Sequence, residues 1–234
     1  MTNNVTGNSA NGGGRGFRGR FQYASMSFLL GVQLLLIFGL GPLLSLGVQV
    51  SAALSGFILP AVITVVLIAQ PKLIPSLVVI GALLFNAAAA VLVHLATASD
   101  VTFWMDGVGS IISIAGLSWI VAQLVFSPGH IDRHRITGSI VLYLNMALLF
   151  EVLFRLVEGV YPGAFSGLAA DAGRTHLIAE LMYFSMTTLT TVGYGDIVAV
   201  HPIARSLANM ESLFGQLYPA IILARMMTLY RVAA

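Results

Sequence analysis

The sequence predicts an all-α membrane protein: six transmembrane helices, with a short helix and an irregular segment re-entering the bilayer between the fifth and sixth. Three observations predict it. First, the 234 residues are 58% hydrophobic and 9% charged, with a mean hydropathy of +0.93. A soluble domain carries about a quarter charged residues and has no core large enough to hide this much apolar surface. Second, six apolar runs reach the roughly 20 residues that cross a bilayer, at 26–46, 50–69, 75–96, 107–126, 136–157 and 202–230. Third, the basic residues fall on alternate loops. Arg15, Arg18 and Arg20 precede the first run, Lys72 follows the second, Arg133 and Arg135 follow the fourth, and Arg225 and Arg231 end the sixth. Asp100, Asp106, Glu158, Asp171 and Asp196 occupy the other loops. The positive-inside bias then puts both termini in the cytoplasm of a plasma or bacterial inner membrane.

The elements follow in order. Residues 1–22 form a Gly- and Arg-rich leader too polar to fold; its arginines set topology and touch anionic lipid, a reading preferred to RNA binding by an Arg-Gly tract. No small-residue cleavage site follows the first run, so the leader is not read as a signal peptide. Residues 23–127 form a four-helix unit, with a kink expected at Pro60. Residues 128–135 are a basic cytoplasmic linker facing lipid headgroups; a pH sensor through His130 and His134 is its sharper alternative. His94, with Asn86 eight residues before it, reads as a core histidine. Residues 136–234 hold the last two spans and the re-entrant segment. On the fifth span, Glu151, Arg155 and Glu158 share one face and read as an ion-pair ladder. Only V-A-A follows Arg231, so no cytoplasmic ligand-binding domain is expected.

Residues 159–175 read as an exposed loop, and 176–189 as an apolar helix too short to cross. Glu180 near its start suits the helix dipole, and its C-terminal end directs partial negative charge toward the membrane centre, which favours a cation. Then comes Thr190-Thr191-Val192-Gly193-Tyr194-Gly195-Asp196. Irregular backbone at membrane depth survives only where protein or a water path satisfies it. Gly193 and Gly195 accept positive φ, so successive carbonyls can turn to one side. Four such strands about an axis would replace the water shell of a cation with rings of oxygen.

This heptad, between a short helix and a last membrane helix, resembles the selectivity filter of the tetrameric potassium channels, residue for residue. The resemblance covers about the last hundred residues as outer helix, turret, pore helix, filter and inner helix. It implies a homotetramer in which the backbone oxygens of Thr191, Val192, Gly193 and Tyr194 bind K⁺ as the permeant ion, with no cofactor. It implies support from Thr190, Gly195, Asp196, Tyr183 and Thr187, the Tyr183 hydroxyl being placed to bond Asp196. Tyr183 and Phe184 replace a Trp pair common in the family. Thr187 replaces the glutamate of the proton-gated bacterial two-helix channel, so a carboxyl–carboxylate pair cannot form there. On the inner helix Gly215 stands at the family's gating hinge, with Pro219 a turn later; the alternative is that Gly215 allows close packing.

The first four runs resemble a voltage sensor in topology alone. The fourth contains no arginine, and each gating charge is worth about 2.3 kcal/mol per 100 mV, so steep voltage gating is not expected. The alternatives are a poorly selective cation channel and a non-conducting regulatory subunit; Tyr194 argues against the first and the intact heptad against the second. An enzyme is not expected. The chain has no cysteine, no H-E-x-x-H and no G-x-S-x-G, and its acids within spans, Glu151 and Glu211, are far apart.

Overall fold

A computed structural model of the chain describes residues 26–40, 100–126, 133–169 and 173–233, together with the helical residues Leu77, Ile80, Gly81, Leu84 and Phe85. The leader, the second run with Pro60, Lys72, most of the third run with Asn86 and His94, and linker residue His130 lie outside the described residues. Among the described residues the elements are α1 (Met26–Gly39), which ends in π-helical turns over Leu35–Leu40, then α2 (Asp100–Val125) and α3 (Arg133–Val160). There follow β1 (Phe165–Ser166), α4 (Arg174–Leu189), β2 (Val198–Ala199) and α5 (Pro202–Ala233).

Within α2 and α3, Phe103–Gln123 and Arg135–Val160 are long and apolar enough to cross a membrane. The 32 residues of α5 extend about 48 Å at 1.5 Å per residue, more than a hydrocarbon core requires. It carries Arg205, Glu211, Arg225 and Arg231. It continues unbroken through Gly215 and Pro219.

α2 starts seven residues earlier than hydropathy alone suggests, so Asp100 and Asp106 are helical and not in a loop. The reason is a partner far away in the sequence. Arg155, 6% exposed on α3, forms an ion pair with Asp106 and donates through Nε to Glu151 at 3.1 Å. Arg174, the first residue of α4, reaches the same Asp106 oxygen at 2.7 Å. One network therefore joins α2, α3 and the start of α4. The ladder expected on α3 holds only for Glu151 and Arg155. Glu158 instead accepts from the N–H groups of Gly163 (2.8 Å) and Phe165 (3.2 Å), closing the loop after α3.

That loop is not simply exposed. β1 pairs antiparallel with β2, and the N–H groups of Val200 and His201 both donate to the Ala164 carbonyl. The sheet sews the loop to the chain that follows the Gly-rich segment. Beneath it, Phe154 of α3, Phe165 of β1 and Phe184 of α4 meet edge to face, with centroids 5.1–5.4 Å apart. Each such contact is worth about 0.5–1.5 kcal/mol beyond the area it buries. Phe150, Leu181, Ile197 and Ala204 complete this core.

A second core holds α1 against α2 and α3 through Met26, Leu29, Val121, Val125, Val141 and Leu142. Beside it runs a polar chain. Gln33 Nε2 donates to Asn145 Oδ1 (2.8 Å), and Asn145 Nδ2 donates to Ser118 Oγ (3.0 Å). In hydrocarbon, side-chain bonds of this kind fix which helices neighbour one another. At its far end α5 is fastened to the same group: the Tyr218 hydroxyl donates to Ser139 O (2.8 Å), and Arg225 Nη2 donates to Phe126 O (2.9 Å) with its guanidinium 4.7 Å above the Phe126 ring.

α5 meets α4 with backbone against backbone. A Cβ at Gly215 would collide with the carbonyl of Leu189, so only glycine lets the helices approach this closely.

Two outcomes follow. Arg155→Gln leaves the buried Glu151 without its cation and Asp106 with Arg174 alone, and lowers stability by about 3 kcal/mol; neutralising Glu151 in the same chain recovers part of the loss. Thermal unfolding in detergent measures both. Gly215→Ala inverts the usual helix preference: an exposed helical glycine gains about 0.5–1 kcal/mol on becoming alanine, whereas here overpacking against a backbone carbonyl costs about 1–3 kcal/mol. A Tm that rises in Gly215→Ala contradicts the packing described.

Candidate functional site

The site begins at the C-terminal end of α4. A helix leaves its last four carbonyls without intrahelical partners, and apolar surroundings offer no water to take them. Here each one is met. Met186 O accepts from the N–H of Thr190 (3.1 Å) and from its hydroxyl (2.7 Å). Thr187 O accepts from Val192 N–H (2.9 Å) and Gly193 N–H (3.2 Å). Thr188 O accepts from Thr191 N–H (3.0 Å) and from Ser212 Oγ of α5 at 3.4 Å. Leu189 O accepts from the Tyr143 hydroxyl of α3 at 3.2 Å.

With Thr190 as the C-cap, the bonds from Thr191 to Thr188 and from Val192 to Thr187 form a Schellman motif. Its left-handed position normally belongs to glycine. In this chain it is Thr191, at φ 58°, the single non-glycine with positive φ among the described residues. A β-branched residue there is a steric outlier that costs about 1–2 kcal/mol. Strain of this sort persists where the side chain is needed.

The same bonds determine where the carbonyls point. Across a planar trans peptide, the C=O of one residue lies antiparallel to the N–H of the next. The N–H groups of Thr191, Val192 and Gly193 all turn back to α4, so the oxygens of Thr190, Thr191 and Val192 lead away from it, to one side. Gly193 (φ 54°) and Gly195 (φ 82°) continue the alternation of left-handed with ordinary residues. Such alternation keeps N–H groups on one side of a strand and oxygens on the other. All seven residues from Thr190 to Asp196 are exposed in the single chain, Tyr194 by 70% and Val192 by 53%.

The flanking residues are placed as follows. The Tyr183 side chain and Asp196 line one cavity, and the Tyr183 ring lies parallel to that of Tyr194 at a centroid distance of 6.1 Å. Thr187 turns its hydroxyl to Phe184 O of its own helix (3.0 Å). Glu180 falls in the second turn of α4, because the helix begins at Arg174 rather than 176; its carboxylate accepts from Ala169 N–H at 3.3 Å. Gly215 backs Leu189, as described above, and Pro219 lies one turn beyond it.

Sequence reasoning missed the residues that tie α4 to its neighbours: Ser185 on α4 itself, Tyr143 on α3 and Ser212 on α5. Ser185 is fully buried and bonds both Ala147 O of α3 (2.8 Å) and the carboxyl of Glu211 on α5. The available signal was Glu211 itself, an acid within an apolar span that requires a polar neighbour.

The ion channel family model matches residues 139–231. Protein LctB of Bacillus caldotenax is 33% identical over 85 residues, 36% of this chain and 63% of that protein. Two pore potassium channel c of Oryza sativa subsp. japonica is 33% identical over 83 residues, 35% of this chain and 18% of that one. Inward rectifier potassium channel Kirbac3.1 of Paramagnetospirillum magnetotacticum is 30% identical over 90 residues, 37% of this chain and 25% of its own. The chain thus spans less than two thirds of each of these relatives. No solved structure matches it. The residues matched by the ion channel family model, 139–231, hold the end of α4, the turned backbone after it and α5, and two of these similar proteins are named as potassium channels.

Proposed function

We propose that this chain is one subunit of a homotetrameric, potassium-selective channel of six spans per subunit, with both termini in the cytoplasm. K⁺ passes down its gradient through a ring of four Thr190–Asp196 segments. The main-chain oxygens of Thr191, Val192, Gly193 and Tyr194 replace its water shell, and the Thr191 hydroxyl adds a ligand at the inner end.

The observation that carries this reading is Thr191 in the left-handed position of the cap. Folding alone would prefer glycine there. A threonine kept against that preference, next to amides that all turn one way, suits a site where oxygens collect around a cation. One segment cannot encircle an ion, and its exposure in the single chain suits burial against three copies. Tyr183, which lines one cavity with Asp196, holds the outer end. α2 carries no Lys or Arg, so the channel is not steeply voltage-gated. Gly215 and Pro219 are the places where α5 bends on opening, and the cytoplasmic arginines rest on anionic lipid.

The test is cation flux into liposomes holding the full chain, K⁺ against Na⁺. Wild type passes K⁺ and excludes Na⁺. Thr191→Gly relieves the left-handed strain at the cost of a freer unfolded chain, so its stability stays within about 1 kcal/mol of wild type; its preference for K⁺ over Na⁺ nevertheless falls. Equal selectivity in the two proteins, or no K⁺ flux in wild type, rejects the reading.

A further inference from the structure

Ser185 sits where the three helices of the channel region meet. Its Oγ lies 2.8 Å from the carbonyl of Ala147 on α3 and in a short hydrogen bond to Oε1 of Glu211 on α5. Ser185 and Glu211 are both completely buried. A hydroxyl owns one proton, and a backbone carbonyl can only accept. An ionised Glu211 would be a second pure acceptor, leaving one of these two close oxygen pairs without a hydrogen between them. A protonated Glu211 resolves the count: the acid donates to Ser185 Oγ, and Ser185 donates to Ala147 O.

The surroundings agree. Among the described residues the ion pairs use Asp106, Glu151 and Glu180, and none reaches Glu211. Its second oxygen, Oε2, is buried with no partner among the described residues, a placement far costlier for a carboxylate than for a neutral acid. Among the described residues Glu211 meets Ser185 of α4, with the Tyr143 hydroxyl of α3 nearby and the Ala147 carbonyl on the other side of Ser185. One turn along α3 from Ala147, Glu151 is already occupied by Arg155.

The position connects this proton to the site. The face of α5 that carries Glu211 also carries Ser212, bonded to Thr188 O, and Gly215, seated on Leu189. The carbonyls of Thr187 and Thr188 hold the N–H groups of Thr191, Val192 and Gly193. A change at Glu211 therefore reaches the turned backbone through one helical turn.

We propose that Glu211 is a proton-loaded clamp: its neutral acid, through Ser185 and Ala147 O, ties α5, α4 and α3 together behind the Gly-rich segment, and loss of the proton releases the clamp and stops conduction. The conduction half of this rests on the channel reading above; the protonation half does not.

Infrared spectroscopy of the full chain in lipid, labelled with ¹³C-glutamate, reads the proton directly. The carbonyl band of a protonated glutamic acid is present at neutral pH, disappears in Glu211→Gln and shifts in Ser185→Ala. Absence of that band in wild type overturns the clamp, and if Glu211→Gln fails to fold, an unshifted band in Ser185→Ala does the same. Flux into liposomes is then followed as pH is raised. Wild-type K⁺ flux falls about tenfold or more across the interval in which the band disappears, while Glu211→Gln, which keeps the donor without the titration, stays flat. A wild-type flux that ignores the loss of the band, or a parallel fall in Glu211→Gln, overturns the switch. No flux in either protein at any pH sinks the channel reading instead, and the band decides the protonation of Glu211 on its own.

Discussion

Peptide groups that leave a helix inside an apolar surround must find partners within the protein, and at the end of α4 the supply is arranged residue by residue. Three successive N–H groups after the helix turn back to cap the carbonyls of Thr187 and Thr188. Because the peptide is planar, satisfying the donors also decides the direction of the acceptors. The strained φ of Thr191 belongs to the same arrangement: it is the conformation that allows the chain to cap the helix and then run on with its oxygens facing away.

Neighbouring elements defend that end. α5 presses a glycine on Leu189 and a serine hydroxyl on Thr188, while α3 reaches across with Tyr143. Behind these lies the Phe154–Phe165–Phe184 cluster, which fixes the tilt of α4 against α3. Apolar contact gives no direction in a bilayer, where lipid tails are as apolar as leucine. Orientation therefore comes from the sparse polar contacts: Asp106 with Arg155 and Arg174, Gln33 with Asn145 and Ser118, Ser185 with Glu211 and Ala147.

What was legible in the sequence tracks the range of the interaction responsible. Apolar runs and local glycines are written in adjacent residues, so the end of α4 at Leu189 and the start of α5 at Pro202 were both readable. Asp106 was not, because the partner that draws it into α2 is 49 residues away. The β1–β2 pairing was hidden for the same reason: two residues on each strand carry no periodic signal. Glu158 sat on the face expected for an ion-pair ladder, yet loop N–H groups took its carboxylate. Spacing finds a helix face, but not which neighbour on that face needs the charge more. For Gly215, spacing allowed a bend or a close contact, and the close contact with Leu189 is present.

α2 touches the rest of the molecule at both ends. Near its first turns Asp106 holds Arg155 and Arg174, and just past its last residue the Phe126 carbonyl and ring hold Arg225. Sliding such a rod by a single helical pitch, about 5.4 Å, would tear both attachments at once, and the helix contains no Lys or Arg. α2 is a strut: it sets the spacing between the two ends of the unit formed by α3, α4 and α5, and resists being moved.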